Sequence, residues 1–354
     1  MNRKKRLISA ALVLFVLFAT AGLAFAGGAQ EGGAADDATL GVAIRTLTNP
    51  YQANYKVGAE MYSEATGLEY EVLTCEGSSE KQVNDIKALV ARTGGNVVFM
   101  VDPNEATDCV AIAKTLEEAG VYWVSWWNKP PDLKVWEYDY WVSHIAYDGI
   151  SAGYYTANEL FKTFGGEGEI IALQGMLANS IAQDRFVGLQ NALDENPGVE
   201  LVAYEAADWD RNKAYEKTKN LLVGNPDIAG VWAANDNMAL GALEALREAG
   251  LAGEVQVVGC DGVEEIFTAI QNGEAAATVY NDSKYQAGIG LAISLAAKQG
   301  KIDVTGLERE KRQFFAAAVE VNAANVDQVI AEYVEGQPEY DYNDYWGSWV
   351  RAME

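Results

Sequence analysis

Seven short polar stretches of the 354-residue chain hold most of the side chains able to do chemistry: 45–52, 102–105, 125–131, 175–183, 208–211, 235–237 and 260–262. In them, Asp102 and Asp261 can accept from paired hydroxyls, and Asn49, Asn128, Gln183 and Asn235 can both donate and accept. Arg45 can donate to adjacent oxygens or pair with a carboxylate. Trp209 lies in such a stretch and suits an aromatic platform, while Trp126 and Trp127 point to opposite sides of a strand end, with Trp127 expected to face the polar groups. This is the chemistry of holding a small hydroxylated molecule. No nucleophile, base and orienting acid occur in a recognisable order. The single histidine, His144, excludes a His-rich metal site, disfavours a catalytic triad, and is expected to be structural. A glycosidase-type carboxylate pair drawn from Asp102, Asp261 and the other loop acids is the remaining enzymatic option. Asp208, Asp210 and Asn212 alternate as in a calcium loop, but the glycine and distal glutamate of that loop are missing. Neither metal nor cofactor is expected.

The elements that must position these groups alternate strand and helix. Strands are predicted at Leu40–Arg45, Tyr70–Thr74, Val97–Val101 and Tyr122–Trp126, with helices at Tyr51–Ala65, Ser79–Ala91 and Ala106–Ala119. The second half runs the same way, with strands at Glu169–Leu173, Glu200–Tyr204, Gly230–Ala234 and Val255–Gly259 and helices at Ala182–Leu193, Lys213–Val223 and Met238–Ala249. That order means an α/β fold with parallel sheets. The plan also repeats. Val97–Asp102 and Gly230–Asn235 are apolar strands ending in a polar residue, and Glu118-Ala119-Gly120 and Glu248-Ala249-Gly250 end helices alike. Two similar lobes follow. Ligands bind beyond the carboxyl ends of parallel strands, so two facing lobes bring the polar stretches into one cleft. Trp232, in mid-strand, is expected in the core.

Composition narrows the class. The chain is 49% apolar and 22% charged, enough for a core, and its length fits about two domains. A net charge of -25 disfavours nucleic acid and anionic membrane as partners. Residues 1–26 read as a cleaved secretory signal: Arg3, Lys4, Lys5 and Arg6, an apolar run Leu7–Leu23, then Ala24-Phe25-Ala26. With no cysteine near that site, no lipid anchor is expected, and 27–38 reads as a flexible leader. Removing 1–26, with its four basic and no acidic residues, leaves 22 basic against 51 acidic, a charge of -29. Export permits a Cys75–Cys109 disulfide, the alternative being three small buried residues.

Five segments, in order and at fitting spacing, resemble the periplasmic sugar-binding proteins of the ribose-binding type. They are Thr48–Tyr51, Val142–Asp148, Ala207–Arg211, Ala234–Ala242 and Val258–Gly262. The resemblance spans Thr39 to Val334 and implies a type I periplasmic binding fold, with lobes joined by three crossings near 145–148, 280–283 and 313–318. It implies an N-terminal lobe of 39–146 plus 283–313 and a C-terminal lobe of 147–282 plus 314–354. It further implies a monomeric periplasmic binding subunit that closes around a sugar and docks on an ABC permease. A sensor presenting its ligand to a chemoreceptor uses the same fold, and so does the ligand-sensing core of a repressor, which the signal sequence and charge oppose. Asn49 and Tyr51 match first-loop positions, Asn235 and Asp261 the second-lobe pair, Trp209 the aromatic cover, and Asn281 a position often held by glutamine. Three departures break the ribose pattern. Trp127 and Asn128 replace an aspartate–arginine pair, Gln183 stands for an arginine, and Arg45 and Asp102 replace other first-lobe groups. The expected ligand is therefore a linear polyol or a monosaccharide other than ribose, with an acidic sugar as the alternative because of Arg45. The tail 340–349, rich in Tyr, Trp and Asp, is expected to pack on the second lobe or edge the cleft.

Overall fold

The computed structural model describes residues 37–336 and 338–353; the expected signal sequence and all but the end of the leader lie outside them. The chain alternates strand and helix through β1 (Thr39–Ile44), α1 (Pro50–Thr66), β2 (Tyr70–Thr74), α2 (Ser79–Arg92), β3 (Val97–Val101), α3 (Asp108–Ala119), β4 (Trp123–Trp126) and β5 (Trp141–Ala146). It continues through α4 (Gly149–Thr163), β6 (Gly168–Gln174), α5 (Ser180–Glu195), β7 (Val199–Ala206), α6 (Arg211–Gly224), β8 (Gly230–Ala233), α7 (Asp236–Ala249), β9 (Gln256–Val258), α8 (Glu264–Gln271) and β10 (Ala275–Tyr280). Last come α9 (Ser283–Lys298), α10 (Arg309–Arg312), β11 (Gln313–Ala316), β12 (Val319–Asn322), α11 (Val326–Val329) and β13 (Trp349–Ala352).

Two sheets result. The first has seven strands in the order β13-β11-β5-β4-β3-β1-β2, and the second has six in the order β12-β10-β9-β8-β6-β7. Among the described residues, only β13 and β12 run antiparallel to their neighbours. β3, β4 and β5 are buried at every position, as strands covered by helices on both faces must be. Gly120 and Gly250 close α3 and α7 in the left-handed region, at φ 66° and 74°, so the repeat seen in the sequence is a repeat of structure.

The chain passes between lobes after β5, after β10 and after β11, close to the expected places, and returns to the first lobe once more between α11 and β13. The first lobe, however, holds more of the C-terminus than expected. Residues 314–354 do not all join the second lobe: β11 and β13 lie in the first sheet, while β12, α11 and the turn that follows it, Ile330–Glu335, pack with the second. β13 supplies the free edge of β11 with an antiparallel partner. The tail's aromatic side chains find the first lobe's surface, Tyr342 edge-on to Tyr62 and Trp346 to Phe314.

Nor is a disulfide formed. Cys75, Cys109 and Cys260 are free and buried. Cys109 packs in an apolar cluster with Ile86, Val101 and Trp123, while the Cys75 thiol faces the Arg45 carbonyl. Trp232 is core, and His144 is structural: its Nδ1 lies 2.8 Å from Ser125 Oγ, and burial, aided by the Lys129 charge, pushes its pKa down.

One helix contact positions the cleft. α4 and α5 touch through Gly153 and Gly188, and a Cβ on Gly153 would lie 2.0 Å from the Arg185 carbonyl oxygen. Gly153→Ala must push α5 outward and is expected to cost about 1–3 kcal/mol, read as a lower urea midpoint with unchanged m-value.

Candidate functional site

The carboxyl ends of both sets of strands meet in one cavity of about 140 Å³. A void of roughly 150 Å³ accepts one benzene-sized ring, so the space suits a single small molecule. Nine of the eleven expected residues line it: Arg45, Asn49, Tyr51, Asp102, Trp127, Asn128, Trp209, Asn235 and Asp261. The lobes touch around it. Ala106 N donates to Ala178 O at 3.1 Å, Asn179 Nδ2 to Asn104 O at 2.8 Å, and Ser180 Oγ to Trp127 O at 3.3 Å. The structure is therefore in a closed arrangement.

The first-lobe wall is held from behind. Tyr51, whose amide is capped by Asn49 Oδ1 at 2.9 Å, donates its hydroxyl to Gln286 Oε1 at 2.5 Å. Trp127 Nε1 donates to Tyr55 Oη at 2.9 Å. Asp102 accepts from Gln52 Nε2 at 3.0 Å, and Asn128 Nδ2 donates to Pro103 O at 3.0 Å. Burial pushes the Asp102 carboxyl up to about 7, against the pull of Gln52, Asn128 and Arg45. An unfolded aspartate titrates near 3.9, so between these values the native state holds the extra proton and stability falls as pH rises. Asp102→Asn is expected to remove that slope. Urea unfolding at pH 5 and pH 7 checks it, the wild type losing stability relative to the variant by up to about 1.4 kcal/mol per pH unit.

The second-lobe wall centres on a residue absent from the sequence-based set. Arg185 is buried in α5, with Nη1 donating to Ala234 O at 2.7 Å and Nη2 to Asp261 Oδ1 at 3.1 Å. Its guanidinium lies 5.3 Å from the Trp127 ring of the first lobe and 5.8 Å from the Trp209 ring of the second. Asn235 Oδ1 caps α7 through Met238 N at 3.0 Å while its Nδ2 donates to Asp261 Oδ2 at 3.2 Å. Asp261 is raised by burial and lowered by Arg185. Beneath it, Asp236 accepts from Gly262 N, Val263 N and Thr278 Oγ1 at 2.6, 3.0 and 2.7 Å, which fixes the loop. Among the described residues, four of the five non-glycines at positive φ line the cavity: Trp127, Asp208, Trp209 and Asp261. Such strain persists only where surroundings enforce it.

Two expected residues lie elsewhere. Gln183 is exposed and donates to Leu177 O at 2.8 Å. Two residues along a helix turn about 200°, so Arg185 rather than Gln183 faces the cleft. The burial stripe of α5, Ile181, Arg185, Gly188, Leu189 and Ala192, was the signal: an arginine on a core-facing register. Asn281 is buried behind Asp261, its backbone N donating to Asp261 O at 3.1 Å and its Nδ2 facing Cys260 Sγ at 3.6 Å. The supposed calcium alternation has other work. Asp208 pairs with Lys213 Nζ at 2.8 Å, and Asp210 caps α6 through Lys213 N at 2.8 Å.

Comparison with known proteins agrees with this geometry. Residues 40–302 match the model of the periplasmic binding protein domain. A ribose import binding protein of Salmonella typhimurium is 32% identical over 241 residues, covering 68% of this chain and 78% of that one. A xylitol-binding protein of Mycolicibacterium smegmatis is 28% identical over 282 residues, covering 79% and 78%. A twin-arginine translocation pathway signal protein from Burkholderia phytofirmans superposes with a TM-score of 0.88 at 42% identity, covering 90% of this chain and 99% of that one. The curated relatives are binding proteins, not enzymes. Two parallel-dominated sheets flanked by helices, with the site between them, are the type I form of this architecture, and the chain belongs to the periplasmic binding protein domain family.

Proposed function

We propose that this protein is the extracytoplasmic solute-binding subunit of an ABC importer and takes one small sugar or linear polyol. The observation that carries the reading is the interlobe cavity, which both lobes line with carboxylates, amides and tryptophans. Asp261, Asp102, Asn49, Asn128 and Asn235 hydrogen-bond hydroxyls, Arg185 donates beside Asp261, and Trp127 and Trp209 cover the apolar face of the ligand. Neutral hydrogen bonds give about 0.5–1.5 kcal/mol each and charged ones about 1.5–3, so several together reach the roughly 8 kcal/mol of micromolar binding. The names of the ribose import and xylitol-binding relatives support this ligand class. Export by a cleaved signal, without a lipid anchor, and delivery of the closed form to a membrane permease complete the proposal.

One observation favours an acidic sugar as a second reading. Lys213 and Arg185 have carboxylate partners in the cavity wall, whereas Arg45 Nη1 is buried without a hydrogen-bond partner. Native mass spectrometry of protein purified without unfolding tests both. A co-purifying neutral polyhydroxylated mass supports the first reading and a sugar acid the second; a bound amino acid or peptide rejects both.

A further inference from the structure

Two interlobe crossings are built alike, and each is tied to the C-terminal tail. After β5, Asp148 caps α4: its Oδ1 accepts from Ser151 N at 3.1 Å and its Oδ2 from Ser151 Oγ at 2.7 Å. After β10, Asp282 caps α9: its Oδ1 accepts from Lys284 N and Tyr285 N at 3.1 and 3.0 Å. The Oδ2 of each aspartate also takes a donor from the tail. Arg351 Nη2 lies 2.6 Å from Asp148 Oδ2, and Tyr340 Oη donates to Asp282 Oδ2 at 2.7 Å. The third crossing is bound as well, because β13 pairs with β11 and Ala317 N donates to Ser348 O at 2.7 Å.

The tail thereby links the two lobes. Before it, the Tyr333 ring packs tilted against Tyr280 of the second sheet at 4.7 Å; within it, Tyr340 and Tyr342 meet Tyr285 and Tyr62 of the first lobe. Arg351 rides on a strand of the first sheet, while Asp148 caps a helix packed on the second. Burial alone would raise the Asp148 carboxyl; the hydrogen bonds from Arg351 and Ser151 outweigh it and hold it below the usual range.

We infer that the C-terminal segment is a strap across the hinge, and that its Arg351–Asp148 ion pair, made between lobes in the closed arrangement, biases the unliganded protein toward closure. Partly exposed ion pairs of this kind shift an equilibrium by about two- to fivefold. The strap acts outside the cavity, so its role does not depend on the ligand's identity.

Nitroxide labels on Val57→Cys in α1 and Val223→Cys in α6, both exposed and one on each lobe, report interlobe distance by pulsed electron resonance in the full chain without ligand. Arg351→Ala is expected to raise the population at longer distance about two- to fivefold, and Arg351→Lys to restore most of the short one. Asp148→Asn keeps a capping side chain and is expected to match Arg351→Ala, so it carries the test if the arginine variant does not fold. Distance distributions unchanged in both variants, or moved to shorter distance, overturn the proposal.

Discussion

Replacing Arg185 by alanine is expected to destabilise the protein by about 3–5 kcal/mol, the loss typical of removing one partner from a buried ion pair. The side chains of Arg185 and Asp261 are only 4% and 7% exposed, so solvent cannot take over the lost partner's role. The Ala234 carbonyl also loses its donor. In a chain of this size the change corresponds to a fall of roughly 4–7 °C in melting temperature. The loss has a pH signature. Without Arg185, burial raises the Asp261 carboxyl further above its unfolded value, so the native state takes up a proton that the unfolded state gives away. Stability of the variant therefore falls as pH rises, and its deficit against wild type is smaller at pH 5 than at pH 8. Arg185→Ala with Asp261→Asn removes the stranded charge and is expected to recover part of the loss. Thermal unfolding across that range checks both statements.

The second large effect concerns ligand capture. Asp261→Ala is expected to weaken binding of the co-purified ligand by about 100-fold or more, since charged hydrogen bonds of about 1.5–3 kcal/mol each are lost. The truncation also leaves Arg185 and the Asn235 amide without their shared acceptor. Gln183→Ala, whose side chain is exposed on the outer face of α5, is expected to leave affinity within about twofold, within ordinary surface-mutation effects. Calorimetric titration of the two variants distinguishes the cavity from its surroundings. Equal losses would mean that the ligand sits outside the wall formed by Asp261.

The contrast between those variants shows how far the sequence carries. The β-α alternation, the repeat of Val97–Asp102 in Gly230–Asn235, and the polar residues at strand ends are local patterns, each enforced by burial of a sheet between helices. They placed Asn49, Asp102, Trp127 and Asp261 around one cavity because strand ends converge whatever the side chains are. Arg185 escaped because it lies in a helix, one turn beyond the loop, where only the register of burial reveals which residue turns inward. Asn281 was placed by the resemblance, at a position often held by glutamine, and the pairing of β9 with β10 buries it behind Asp261. The tail was least legible. Its residues have no helical or alternating period, and β13 exists because β11 presents an open edge, a fact of tertiary structure. The free cysteines follow from the same cause: Cys109 points into an apolar cluster that sequence spacing does not disclose.

Everything above turns on the cleft binding one small polyhydroxylated molecule. The most direct test is a thermal-shift titration of residues 27–354, refolded to strip bound ligand, against pentoses, hexoses, linear polyols, sugar acids and amino acids. Ligand at 100 times its dissociation constant adds about 2.7 kcal/mol, a rise of several degrees. Such a rise is expected for one neutral sugar or polyol, and its loss in Asp261→Ala. A rise confined to amino acids, or one that survives Asp261→Ala undiminished, would contradict it.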